Sequence, residues 1–288
     1  MQEFDMITGL STLAEAYDGV ICDVWGVLHN GVSPYPAAAE ALSCFRSLGK
    51  AAVLLTNAPR PAKAIEDLLS RQYGIGPASY DEIVTSGSVA RKVFQNEPRR
   101  RLFHIGPVHN VGLFEGLDVE LVGESEAEYV VLTGLFDDET ESPETYQPMF
   151  RRLIDRGLKA YCANPDVIVE RGDRLVYCAG ALARLYVELG GDTTIIGKPY
   201  KPVYDAARAA IDRALGRPVD KSRVLAIGDG LPTDIKGACA QGFDVLMVTA
   251  GIHGADFGEL ANPDPERLAV RLDAEGLRIR AAIPRLVW

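Results

Sequence analysis

Six polar residues stand just past apolar runs of this sequence, and their types suit phosphate chemistry. Asp23 follows GVIC, Thr56 and Asn57 follow AAVLL, and Lys198 follows TTIIG. Asp229 follows VLAIG, and Asp234 comes five residues later. Each alone has an ordinary reading as a turn residue, a surface lysine, or a helix start with Thr233 as its N-cap. In order along one chain they converge on one chemistry. A carboxylate at Asp23 can attack phosphorus and split one hard displacement into two easier ones. Nucleophile and phosphoryl group are both negative, so a cation must hold them together. Mg²⁺ takes oxygen ligands, usually one or two carboxylates with water and phosphate. Asp23 and Asp229 meet that need, with Asp234 nearby. Lys198 would neutralise more charge. Thr56 and the Asn57 amide would bind phosphoryl oxygens.

Such residues act together only if one scaffold gathers them. The runs at 19–22, 51–55, 82–85, 194–196, 223–227 and 244–248 read as strands, and 37–48, 61–69, 202–215 and 234–240 as helices. Pro36 and Gly49 bracket the first helix, and Gly242 closes the last. Strands apolar throughout and separated by helices predict a doubly wound parallel α/β sheet covered on both faces. Its ligands should sit at the carboxyl ends of the strands. A middle region, 87–191, has its own strands (102–105, 129–132, 158–162) and helices (145–156, 180–189). It reads as a second α/β domain inserted into a core of 1–86 and 192–288. The tail after His253 carries no evident chemistry.

Composition narrows the function. The chain has 288 residues, 47% hydrophobic and 24% charged, with a net charge of −10. That balance is ordinary for a globular protein and poor for binding nucleic acid or an anionic membrane. Arg99-Arg100-Arg101 reads as a solvated corner. No run approaches a membrane span, and the start, with Glu3 and Asp5, reads as no signal peptide. Five scattered cysteines, without a C-x-x-C pair, fit a reducing cytoplasm.

The order Asp23, Thr56-Asn57, Lys198, Gly228-Asp229-x₄-Asp234 resembles the haloacid-dehalogenase superfamily. The insert between the second and third motifs resembles its branch with a large α/β cap on a Rossmann-like core. Thr56-Asn57, Asn164-Pro165-Asp166, Gly180-Ala181-Leu182, Gly197-Lys198-Pro199 and Gly228-Asp229-x-Leu-x-Thr-Asp234 are similar to the NagD-like, p-nitrophenylphosphatase-like group. The resemblance spans 17–251. It implies a phosphomonoesterase for a small phosphorylated metabolite such as a sugar phosphate or nucleotide. By that likeness Asp23 is the nucleophile, Thr56 and Asn57 bind phosphate, and Lys198 orients charge. Mg²⁺ is held by Asp23, Asp229, Asp234 and the backbone carbonyl of Trp25. The cap would close over the strand ends and select the leaving group. Asn164 and Asp166 would face the substrate, and Tyr161, Arg171, Arg174 and Tyr177 are further candidate contacts. Caps of this branch often help form dimers, so a homodimer is a possible assembly.

One residue departs from the pattern. The first motif normally reads Asp-x-Asp-Gly; here it is Asp23-Val24-Trp25-Gly26. The missing carboxylate is the usual general acid for the leaving group. Such an acid is worth about 10²–10⁴ in rate, or roughly 3–5 kcal/mol. The expected enzyme then either uses another acid, with His29 and Asp166 as candidates, or favours leaving groups that depart without a proton. Two alternatives stand beside it: a weak or inactive phospho-ligand binder, and a dehalogenase-like hydrolase. The intact Asp229/Asp234 pair argues against the second, because dehalogenases need no Mg²⁺. Trp25 itself could be a packing plug, or a cover for the phosphate site. Trp25→Asp should raise hydrolysis of alkyl phosphates more than that of p-nitrophenyl phosphate. Equal effects on both would contradict the missing-acid argument.

Overall fold

A computed structural model describes residues 3–288. The chain divides into two compact units, residues 3–56, 66–84 and 198–288, and residues 57–65 and 85–197.

The first unit is built on a seven-stranded sheet. Its strand order is Asp5–Met6, Ala281–Ile283, Asp244–Val248, Val224–Gly228, Gly19–Cys22, Ala51–Thr56, Glu82–Thr85. Val224–Gly228 pairs in parallel with Gly19–Cys22 on one side and Asp244–Val248 on the other. Gly19–Cys22 pairs in parallel with Ala51–Thr56. Gly19–Cys22, Ala51–Thr56 and Val224–Gly228 are buried along their whole lengths, which explains their unbroken apolar runs. Helix Lys201–Leu215 buries Val203, Ala207, Ala210 and Ile211 on one stripe. It has Pro202 in its first turn and stops at Gly216, whose φ of 66° is left-handed. Gly19 lets this helix approach, since a Cβ there would press on the Ile211 side chain.

The second unit has a five-stranded parallel sheet, in the order Thr193–Ile195, Ala160–Cys162, Tyr129–Leu132, Arg101–Ile105, Glu120–Leu121. Phe150, Leu153, Leu182 and Tyr186 pack over it. The Tyr186 hydroxyl donates to the Leu158 carbonyl at 2.6 Å.

Several boundaries differ from the sequence reading for physical reasons. The strand expected at 194–196 in the first sheet is Thr193–Ile195, beside Ala160–Cys162 in the second. Its three half-buried residues are too few to encode which sheet they join. Helix 61–69 runs on as Ala62–Tyr73. The segment expected as helix 234–240 opens with a π-helical turn, Leu231–Ile235, before helix Lys236–Gln241. The tail after His253 supplies the strand Ala281–Ile283. The hairpin Ile168–Arg171/Arg174–Tyr177 was not expected, and it carries the candidate contacts Arg171, Arg174 and Tyr177.

The basic triplet is a paired corner, as expected. Arg99 binds Glu97 at 2.7 Å, Arg100 meets Asp118 at 3.1 Å, and Arg101 meets Glu128 at 3.5 Å. Glu97 is buried and also accepts from the Tyr161 hydroxyl at 2.5 Å. Tyr161 is therefore a buried structural anchor rather than an open contact on the insert. The Arg99 bond, with help from Tyr161, holds the Glu97 carboxyl down at about 2. A depressed carboxyl stabilises the fold above its unfolded pKa and loses that contribution as pH falls towards the folded value. Glu97→Gln should cost about 1–3 kcal/mol at pH 7 and shrink the stability lost between pH 4.5 and 2, as read by urea unfolding. An unchanged pH profile would refute this role.

Candidate active site

In the first unit the strand ends bring four of the six polar residues together. Asp23 follows Gly19–Cys22, and its amide donates to the Ile227 carbonyl at 2.8 Å, which carries the pairing one residue past the strand. Lys198 is 3% exposed, and its ammonium bonds the Asp23 carboxylate. It also bonds Asp234 Oδ1 at 2.7 Å and the Leu55 carbonyl at 3.2 Å. Asp229 and Asp234 are 5% and 8% exposed. Oxygens of Asp23, Asp229 and Asp234 all lie within 4.8 Å of one another. Thr56 closes the neighbouring strand and is buried there.

The backbone shapes itself around these carboxylates. Asp229 Oδ2 accepts the Ile252 amide at 2.8 Å. A Cβ on Gly26 or on Gly251 would run into the Asp229 carboxylate, and one on Gly228 into Asp234. Gly26 also has a φ of 88°, where other residues are strained. The π-helical turn lets Asp234 Oδ2 accept the Gly230 amide at 3.1 Å. The Tyr204 hydroxyl reaches the Asp234 carbonyl at 3.2 Å. Gly26, Tyr204 and the Gly251-Ile252 turn were missed in the sequence. The signal for the last was present, because Gly251 closes a turn after an apolar strand, as the other site residues do.

Electrostatics decide what this arrangement can hold. Three carboxylates face one ammonium. Burial above all, then the charge of Asp234, pushes Asp23 well above the usual carboxylate range; Lys198 opposes the shift and Asp229 adds to it. Burial and Asp234 push Asp229 up to about 7. The cluster therefore has an excess of hard oxygen donors over cation. That donor set fits Mg²⁺.

Other candidates are engaged elsewhere. His29 is buried, stacked on Tyr73 at 4.3 Å, and its Nδ1 accepts the Gly31 amide at 3.0 Å. Burial pulls its pKa down to about 4, so it is neutral near pH 7. The Trp25 ring meets His29 edge-on at 4.9 Å and lies against Gly31, where a Cβ would strike it. The indole is thus packed on its own loop. In the second unit the Asn57 amide nitrogen donates to Asp166 Oδ1 at 2.8 Å, and the Asn164 side chain accepts the Asp166 amide at 3.2 Å. These three predicted residues are joined by hydrogen bonds, Asn57 reaching the turn that holds Asn164 and Asp166. Arg171 bonds Asp138 at 2.6 Å and Glu139 at 2.9 Å, and Arg174 bonds Glu139 at 2.5 Å. Tyr177 is exposed.

A parallel sheet with a lysine among three buried carboxylates at its carboxyl edge suits phosphoryl-transfer chemistry, as in hydrolases of the phosphomonoester class. Comparisons with known proteins agree. Residues 20–120 match the family described as haloacid dehalogenase-like hydrolase, and 195–274 match a second, HAD-hydrolase-like family. A solved haloacid dehalogenase-like hydrolase from Brucella suis 1330 is 45% identical, with a TM-score of 0.88 over 98% of this chain and 100% of that one. The 4-nitrophenylphosphatase of Schizosaccharomyces pombe is 25% identical over 250 residues, 78% of this chain and 80% of that protein. The ribonucleotide monophosphatase NagD of Escherichia coli K12 is 25% identical over 245 residues, 82% of this chain and 89% of that protein. The chain belongs to the haloacid dehalogenase-like family, in its NagD-like branch.

If Lys198 offsets this cluster, Lys198→Met should cost about 3–5 kcal/mol in EDTA at pH 7.5, because buried carboxylates lose their cation. Urea unfolding measures it, and a loss below about 1 kcal/mol would contradict the assignment.

Proposed function

We propose that this enzyme hydrolyses a small phosphorylated metabolite with Mg²⁺, through an aspartyl-phosphate on Asp23. The observation that carries the reading is the Lys198 ammonium bonded to both Asp23 and Asp234, with Asp229 in the same buried cluster. Mg²⁺, held by Asp23, Asp229, Asp234 and the Trp25 carbonyl, would supply the positive charge that lets an anionic nucleophile meet an anionic phosphoryl group. Lys198 bonds Asp23 through Oδ1, and Oδ2 is the oxygen we assign to attack. Its bond to phosphorus forms as the bond from phosphorus to the leaving oxygen breaks, and the electron pair departs with that oxygen. Water then attacks phosphorus, which releases phosphate and restores Asp23. Thr56 and the Asn57 amide are the proposed phosphoryl-oxygen ligands, and Asn164 and Asp166 the contacts on the leaving-group side.

The relatives named above act on 4-nitrophenyl phosphate and ribonucleotide monophosphates, so a sugar phosphate or nucleotide is the substrate class to try first. Both candidate acids are engaged elsewhere. His29 is neutral and buried, and Asp166 is bonded to Asn57. Leaving groups that depart as stable anions are therefore favoured. The five cysteines are free, which suits the cytoplasm as its proposed location. No helix among the described residues is long and apolar enough to cross a membrane.

Phosphate release from p-nitrophenyl phosphate and a panel of phosphorylated metabolites tests the proposal. Turnover should require Mg²⁺, vanish in EDTA, and fall by more than about 10³-fold in Asp23→Asn. Activity that survives Asp23→Asn would overturn it.

A further inference from the structure

Two turns of the first unit close on the Asp229 carboxylate, and one short segment holds both. Gly251 and Ile252 make the first turn. A Cβ on Gly251 would strike Asp229, and the Ile252 amide donates to Asp229 Oδ2 at 2.8 Å. Gly26 makes the second, and a Cβ there would meet the same carboxylate. The segment is 283–285, where the strand Ala281–Ile283 ends beside the end of Asp244–Val248. The Ile283 carbonyl accepts the Thr249 amide at 2.9 Å, and the Pro284 carbonyl accepts the Ala250 amide at 3.0 Å. Both bonds stand just before the Gly251 turn. Arg285 then reaches the other turn, its Nη1 donating to the Gly26 carbonyl at 3.3 Å.

Arg285 is half-buried and makes no ion pair among the described residues. Its guanidinium lies 4.2 Å from the centre of the Tyr35 ring. Tyr35 ends the loop that Gly26 begins, and its amide donates to the Leu28 carbonyl at 2.8 Å. Both contacts of the guanidinium therefore fall on one loop.

The backbone at Gly26 shows why a holder is needed. Glycine rotates more freely about φ and ψ than any other residue. The Gly26 amide donates to the His29 carbonyl at 2.8 Å, which anchors the peptide plane on its amino side. The Trp25 carbonyl lies in that same plane. The plane on the other side carries the Gly26 carbonyl, and its bond is to Arg285. Without Arg285, one plane stays anchored and the other is loose.

We propose that Arg285 is a positioning residue of the metal site. It locks the Gly26 turn against Asp229 and, through that turn, the Trp25 carbonyl. The inference rests on the proposed Mg²⁺ site and adds a residue that braces it from outside. A brace and a bare charge act in opposite directions here. The contacts at Gly26 keep Arg285 Nη1 within about 10 Å of the Asp229 carboxylate. A cation so near opposes a divalent ion, so loss of its charge alone would tighten binding. Loss of a brace weakens it.

Calorimetric titration of Mg²⁺ into wild type, Arg285→Met, Arg285→Lys and Arg46→Met tests this. Arg46 serves as a brace remote from the site, bonding the Pro77 and Ala78 carbonyls at 2.6 Å in the same unit. Arg285→Met should weaken Mg²⁺ about 10- to 100-fold, with Arg285→Lys in between and Arg46→Met unchanged. If Arg285→Met does not fold, Arg285→Lys carries the same test. Hydrogen exchange in EDTA reads the turn without metal, and the segment 24–30 should exchange about tenfold faster in Arg285→Met. Affinity in Arg285→Met equal to or tighter than wild type overturns the proposal, as does an equal weakening in Arg46→Met. Unchanged exchange with an intact wild-type site also refutes it alone. A wild type that binds no Mg²⁺ refutes the metal reading, and this inference with it.

Discussion

The Lys198 ammonium, bonded to Asp23 and Asp234 beside Asp229, is the contact on which the rest of the first unit depends. Carboxylates this deeply buried resist ionisation, and Asp23 and Asp229 both show it. A single lysine cannot balance them. The imbalance leaves the cluster short of positive charge, which the proposed Mg²⁺ would supply. It also explains why so much backbone is arranged around it. Glycines at 26, 228 and 251 clear the space the carboxylates fill, and the Ile252 amide fixes one oxygen of Asp229.

Parallel pairing is what makes the cluster possible. Gly19–Cys22, Ala51–Thr56 and Val224–Gly228 run side by side in the same direction, so the residue after each apolar run emerges at the same edge. Cys22 is paired with both Leu54 and Ile227, which sets Asp23 level with the neighbouring strand ends. Asp23 and Asp234, far apart in the sequence, thereby meet without any local sequence signal linking them. The Trp25 substitution is absorbed by the same loop: the indole packs on Gly31 and His29, and the turn at Gly26 keeps the left-handed conformation that the Asp229 carboxylate requires.

Much of this was legible in the chain because apolar runs ending in Asp, Thr-Asn, Lys or Gly-Asp carry their own punctuation. The strands Gly19–Cys22 and Asp244–Val248 have the expected bounds. What could not be read was information held by neighbours. Three residues at Thr193–Ile195 do not say which sheet they will join. The π-helical turn at Leu231–Ile235 depends on Asp234 reaching back to the Gly230 amide. Tyr161 is buried by its bond to Glu97, a partner far away in the sequence.

The most direct measurement of the central claim is calorimetric titration of Mg²⁺ into wild-type protein and into Asp229→Asn. One site in the wild type, weakened more than about 100-fold by the substitution, is the result expected of an undercompensated carboxylate cluster. Equal affinity in the two proteins, or no site in either, would contradict it.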